Sequence, residues 1–130
     1  QGLSYGWPIS SYGEKYSRGQ SNEPSNYKKS HEEYGFQEPI FSFIPAIGIS
    51  EIKKLPNNFS EMWQDNFLIA SLNGKYLYRV KFDKEYKKVI YHERIFIGDR
   101  IRDIIYNNSS KEIYLSLELD GDLGIISRAQ

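Results

Sequence analysis

Cysteine is absent from the 130 residues, which excludes disulfides, thiolate nucleophiles and cysteine-bound zinc together. An excess of either charge is missing too. Lys+Arg and Asp+Glu each number 17, the formal net charge is zero, and no overall field exists to recruit nucleic acid or an anionic membrane. No apolar run approaches the length that spans a bilayer. The opening Gln1-Gly2-Leu3-Ser4-Tyr5 lacks the basic-then-apolar texture of a signal peptide and an initiator Met, so it reads as the interior of a longer chain. Aliphatic residues are scarce in the first forty positions, where Tyr5, Tyr12, Tyr16, Tyr27 and Tyr34 stand among Gly, Ser, Asn and Pro without helical or strand periodicity. That texture predicts a long irregular segment over residues 1–40, ordered by its aromatics and most mobile from Glu23 to Glu33.

From Phe41 the texture changes to short β-rich runs, and residues 41–130 read as the folded portion. A chain of this length buries roughly two thirds of its unfolded surface, enough for a real core. Strands are expected at 41–46, 66–72, 76–83, 88–96, 101–107, 112–119 and 122–128. Tyr76 to Phe82 alternates as a half-buried strand should. Asn73-Gly74 signals a hairpin, Asn107-Asn108-Ser109-Ser110 a second turn, and Asp120-Gly121-Asp122 a third. No segment makes a convincing amphipathic helix, although residues 57–65 suit a short turn carrying Phe59 and Trp63. The fold class is all-β, either a sandwich or part of a propeller, and seven strands fall one short of two four-stranded blades.

The pattern Arg100-Ile101-Arg102-Asp103-Ile104 places two guanidinium groups on one strand face. Adjacent like charges are unfavourable unless an anion lies between them, which makes the pair a site signature. The same spacing also suits a solvated edge whose charges discourage pairing with another chain, and spacing alone does not separate the two. His31, among Lys28, Lys29, Glu32 and Glu33, and His92, beside Tyr91, both read as surface histidines without a triad-like partner. Glu32-Glu33 point apart on an extended chain, and Asp120 with Asp122 flank a turn glycine without the further oxygens calcium needs, so no metal site is assigned. The tyrosines of the first segment offer flat faces suited to carbohydrate, with loop packing the favoured reading. Asn58-Phe59-Ser60 and Asn108-Ser109-Ser110 fit the glycosylation triplet, a pattern frequent by chance.

Several ordered stretches resemble the glucose/sorbosone dehydrogenase family: Tyr5-Gly6-Trp7-Pro8, Tyr12-Gly13 with Tyr16, residues 38–50 from Glu38-Pro39 to Ile49-Ser50, residues 65–72, and Gly98 to Ile104. The resemblance implies the C-terminal portion of a six-bladed β-propeller, about two four-stranded antiparallel blades after the irregular segment, with the last strand supplied from elsewhere in a longer chain. In that family, soluble quinoprotein enzymes hold pyrroloquinoline quinone (PQQ) with calcium and oxidise aldoses to lactones. By the same resemblance Arg100 and Arg102 match the arginine pair beside the quinone. Their planar forks suit carboxylates, quinone oxygens and the negative charge of reduction. Asp103 is expected to orient a neighbouring loop, and Gly98 to supply the turn into the strand. Asn73 stands where the family places a cofactor-reaching Lys, and Phe43 with Ile44 and Ala46 stands where it has a Trp followed by a hydroxyl residue. Phe43 retains stacking, whereas Asn73 cannot supply a charge.

The family's catalytic His and most calcium ligands belong to its N-terminal part, so no catalytic residue is assigned to this chain, and calcium belongs to the full-length family. The expected function is the C-terminal part of a quinoprotein sugar dehydrogenase, inactive as an isolated chain, with the sugar as partner only in a complete protein. The resemblance implies a periplasmic or secreted location. The alternative is a propeller-derived binding or assembly module that has lost cofactor chemistry, as Asn73 and Ala46 suggest, and self-associates through its open sheet edges.

Overall fold

The computed structural model describes residues 2–7, 9–13 and 27–128, and the chain divides into two compact units, Gln1–Ala46 and Ile47–Gln130. In the second unit the described residues form β1 (Ile49–Lys54), β2 (Asn66–Ser71), β3 (Tyr76–Phe82), β4 (Val89–Phe96), β5 (Ile101–Asn107), β6 (Glu112–Leu117) and β7 (Leu123–Ile126). Every pairing is antiparallel, in a four-stranded sheet ordered β1-β2-β3-β4 and a three-stranded sheet ordered β5-β6-β7. Helix is confined, among the described residues, to the 3-10 turns Glu32–Tyr34 and Glu61–Trp63, the latter inside the segment expected to turn there. The fold is all-β.

The core follows from the side-chain alternation of the strands. Leu68, Ala70 and Leu77 project from the first sheet and Ile101, Ile104, Ile113 and Leu115 from the second, into one cluster that Leu55 and Phe59 complete. The Phe59 ring meets Trp63 at 5.5 Å and Tyr106 edge-on at 6.0 Å, an arrangement aromatic quadrupoles favour. Residues of opposite parity in β2 and β3, Ile69, Tyr78 and Val80, are buried as well. These strands are therefore covered on both faces, which explains the nearly continuous apolar run of β2 and corrects the half-buried reading of β3.

The expected strand at 41–46 does not form. Pro45 has no N–H to give a ladder, and the chain there is irregular. The seventh strand is instead β1, whose Ile49 and Ile52 are more than half exposed, so its sequence carries no alternation. Pairing to β2 makes it a strand, with a bulge between Ile49 and Glu51. The bulged Ser50 donates its Oγ–H to the Ile101 carbonyl at 2.5 Å and so ties β1 to β5. The Asn73-Gly74 hairpin forms, yet the left-handed residue is Lys75, at φ 56, rather than the glycine. In the second turn the Asn107 side chain accepts the Ser109 and Ser110 amides at 2.9 and 3.3 Å, as an Asx turn does.

The first unit has no strand ladder among its described residues. The Gly6 carbonyl accepts the Ile9 and Ser10 amides, and Gly6 is required there twice over, by a φ of +85 and by the Phe36 ring 2.9 Å from where a Cβ would stand. Residues 23–26, Pro8 and Tyr16 lie outside the described residues; of the segment expected to be mobile, Lys28 bridges to Ser10 and Glu32–Tyr34 makes the 3-10 turn. His31 is not at the surface. At 6 % exposure it stacks on Tyr12 with ring centroids 4.9 Å apart, and its Nδ1 lies 3.2 Å from Ser10 Oγ. Ser10 Oγ already donates to the Lys28 carbonyl, so His31 Nδ1–H is the donor to it. Glu38 organises the rest: Oε1 accepts the His31 and Glu32 amides at 2.7 and 2.9 Å, and Oε2 accepts the Tyr12 hydroxyl at 2.7 Å.

Candidate functional site

The arginine pair is placed by the turn that precedes it. Gly98, at φ 89, takes the chain out of β4 in a conformation that residues with a side chain rarely adopt. Asp99 follows and is buried. Its Oδ1 accepts the Arg100 amide at 2.5 Å, and both its oxygens lie within 3.2 Å of the Leu119 amide. A buried carboxylate requires such donors, and here they pin the start of β5 to the chain leaving β6. The Glu118 amide donates to the Arg100 carbonyl at 3.0 Å, which sets Glu118 beside the arginines.

The register then steps. Ile101 faces Leu117 and Asp103 faces Ser116, so Arg102 is the extra residue of a bulge, a feature that re-aims a side chain. Both guanidinium groups consequently reach one carboxylate oxygen: Arg102 Nη2 is 2.8 Å and Arg100 Nη1 3.7 Å from Glu118 Oε1. The arginine side chains are 47 % and 52 % exposed, leaving most of their donors open to solvent. The second oxygen, Glu118 Oε2, is buried without a hydrogen-bond partner. The anion that the Arg-x-Arg spacing demands is thus present in the chain itself. A pair of forked cations with free donors can hold a planar, anionic group, and this donor chemistry fits a quinone that carries carboxylates.

The other expected site residues stand as follows. Asn73 is exposed in the turn between β2 and β3, its amide donating to the Ile47 carbonyl at 2.9 Å. Phe43 belongs to the first unit, half-buried and edge-on to Phe41 at 4.9 Å. Asp103 orients no loop; its Oδ1 accepts the adjacent Ile104 amide at 2.8 Å, and the loop-fixing carboxylate is Asp99. His92 is exposed on β4. Among the described residues no group of three or more His, Cys, Asp or Glu gathers to hold a metal, and no helix is long and apolar enough to cross a membrane. Asp99 and Glu118 were not legible as partners of the arginines, because strand register is invisible in sequence; the like-charge spacing was the one signal that an anion had to be near.

The comparisons with known proteins agree with this architecture. The family model described as Glucose / Sorbosone dehydrogenase matches residues 1–126. A Synechocystis sp. protein described as "Uncharacterized protein slr1608" is 26 % identical over 104 residues, covering 80 % of this chain and 24 % of that protein. A solved structure titled "Crystal structure of glucose dehydrogenase" superposes with a TM-score of 0.79 at 24 % identity, over 99 % of this chain and 36 % of that one, a likeness of fold. The chain therefore spans about a quarter of the first relative and about a third of the second. The two antiparallel sheets are part of a propeller of this type, and the chain belongs to the glucose/sorbosone dehydrogenase family.

Proposed function

We propose that this chain is the C-terminal part of a quinoprotein sugar dehydrogenase, in which Arg100 and Arg102 hold the anionic edge of pyrroloquinoline quinone. The observation that supports the reading is the convergence of the two guanidinium groups at the bulged start of β5. When bound, the quinone supplies the two-electron acceptor for aldose oxidation. The chain's own contribution is binding and orientation: Asp99 and the bulge fix the backbone, and the arginines offer fixed donors where negative charge grows. Asn73 can lend only a neutral donor, so the arginines carry most of the charge complementarity. In this reading the sugar's base and the calcium site belong to the rest of a longer protein. The sugar partner, and a periplasmic or secreted setting, follow from the same reading.

The test is titration with pyrroloquinoline quinone and a dye-linked aldose oxidation assay, run on this chain and on one extended toward the N-terminus. Quinone binding to both, with turnover in the extended protein alone, supports the proposal. No binding to either overturns it.

A second reading is an assembly module that self-associates. It is favoured by β7, an edge strand of the three-stranded sheet, and by exposed Ile105, Leu123 and Ile125 on that sheet's outer face. Three copies of two blades would close a six-bladed ring.

A further inference from the structure

Glu118 answers the arginine pair from within the chain, and its geometry is unsettled in a specific way. One oxygen serves both guanidinium groups while the other is buried with no donor. We infer that Glu118 is a built-in counter-ion that occupies the arginine pair until an anionic ligand displaces it, and that it thereby sets the charge of ligand the pair accepts. The inference rests on the reading that this pair binds an anionic group.

Three features support displacement over a fixed structural bridge. First, sharing one oxygen uses the forks monodentately, whereas a ligand carboxylate can take two parallel bonds from either arginine. Second, ion pairs between side chains this exposed contribute little, so losing this one costs little. Third, the orphaned Oε2 is unfavourable where it lies and regains its hydrogen bonds once the carboxylate turns aside to water, still beside the arginines because the Glu118 amide is tied to the Arg100 carbonyl. Asp99 cannot play this part, because backbone amides hold its oxygens. With Glu118 in place the cluster of Arg100, Arg102 and Glu118 carries a net charge of two positives less one negative; with Glu118 neutralised it carries both positives.

The test compares the 130-residue chain with Glu118→Gln by calorimetric titration, using benzoate as a monoanion and dipicolinate as a dianion. Adding one unit of site charge is expected to tighten benzoate about fivefold and dipicolinate about 25-fold at low ionic strength, both gains shrinking as salt is added. Arg102→Gln removes the binding in either background. Weaker binding by Glu118→Gln, equal tightening of the two probes, or binding by neither protein overturns the inference. If Glu118→Gln does not fold, the carbon-13 carboxyl resonance of Glu118 in the unaltered chain decides the matter. It is expected to move as dipicolinate saturates, and a static resonance beside shifting arginine Nε–H signals overturns the inference. A chain that ignores pyrroloquinoline quinone yet shows the charge-graded tightening loses the enzymatic reading and keeps this one.

Discussion

At the scale of single residues, two carboxylates hold backbone rather than substrate. Asp99 accepts the Arg100 and Leu119 amides from a position only 7 % exposed. Asp99→Ala leaves both N–H groups without an acceptor, and the expected cost is about 2 kcal/mol of stability, read as a lower urea midpoint. Asp99→Asn keeps one carbonyl acceptor and recovers part of it. Glu38 does the corresponding work in the first unit. The Glu32 amide first, then the Tyr12 hydroxyl, holds its carboxyl below the ordinary glutamate range. A carboxyl depressed in the folded state binds fewer protons there than in the unfolded chain, so its contribution is complete above the unfolded pKa and is lost as pH falls through the folded one. Hydrogen-exchange protection of the His31 and Glu32 amides is expected to hold at neutral pH and to fall once the pH drops below the ordinary glutamate range. Glu38→Gln should erase that pH dependence; protection unchanged by the substitution would contradict the assignment.

At the scale of elements, the turns and bulges hold most of the specific information. Lys75 carries φ 56 in the β2–β3 turn, a left-handed conformation that costs a β-carbon-bearing residue about 1 kcal/mol, while the neighbouring glycine does not use its freedom. Its side chain is exposed, and its carbonyl accepts the Ile97 and Gly98 amides. Lys75→Gly should therefore raise the thermal midpoint, by the equivalent of about 0.5 kcal/mol once the added entropy of the unfolded chain is subtracted. What was legible in the sequence divides along the same line. β2, β3 and β6 announced themselves because one face or both faces are apolar, and β4, β5 and β7 through their β-branched, aromatic and aliphatic content between turn residues. β1 did not, because it is a strand by pairing alone, with both isoleucines in solvent. Arg100 and Arg102 were legible as a pair, but Glu118 and Asp99 became their neighbours through a bulge and a hydrogen bond that no spacing encodes. His31 was misread because its burial depends on Ser10 and Tyr12, distant in sequence and polar by composition.

At the scale of the whole molecule, the two faces of the three-stranded sheet are unequally used. Ile104, Ile113 and Leu115 point into the core, whereas register sets Ile105, Tyr114 and Ile125 in one row on the opposite face, with Leu123 beside them. Ile105, Leu123 and Ile125 are all more than half exposed. Polar side chains would ordinarily occupy such positions on a sheet facing water, and a contiguous apolar row is a surface that another sheet can cover. Packing each aliphatic side chain away from water contributes about 1.5 kcal/mol or more, and the outer edge of β7, which pairs with no strand among the described residues, adds backbone groups to the attraction. If copies of this chain meet through that face, closure of a ring from three copies satisfies every such surface at once, whereas an open chain of copies always leaves one bare. Light scattering is then expected to report a trimer, and Ile125→Glu, which puts a charge in the row without touching the core, should return it to a monomer with an unchanged thermal midpoint for the dissociated protein. A monomer at all concentrations for the unaltered chain would instead assign the face to the rest of a longer propeller.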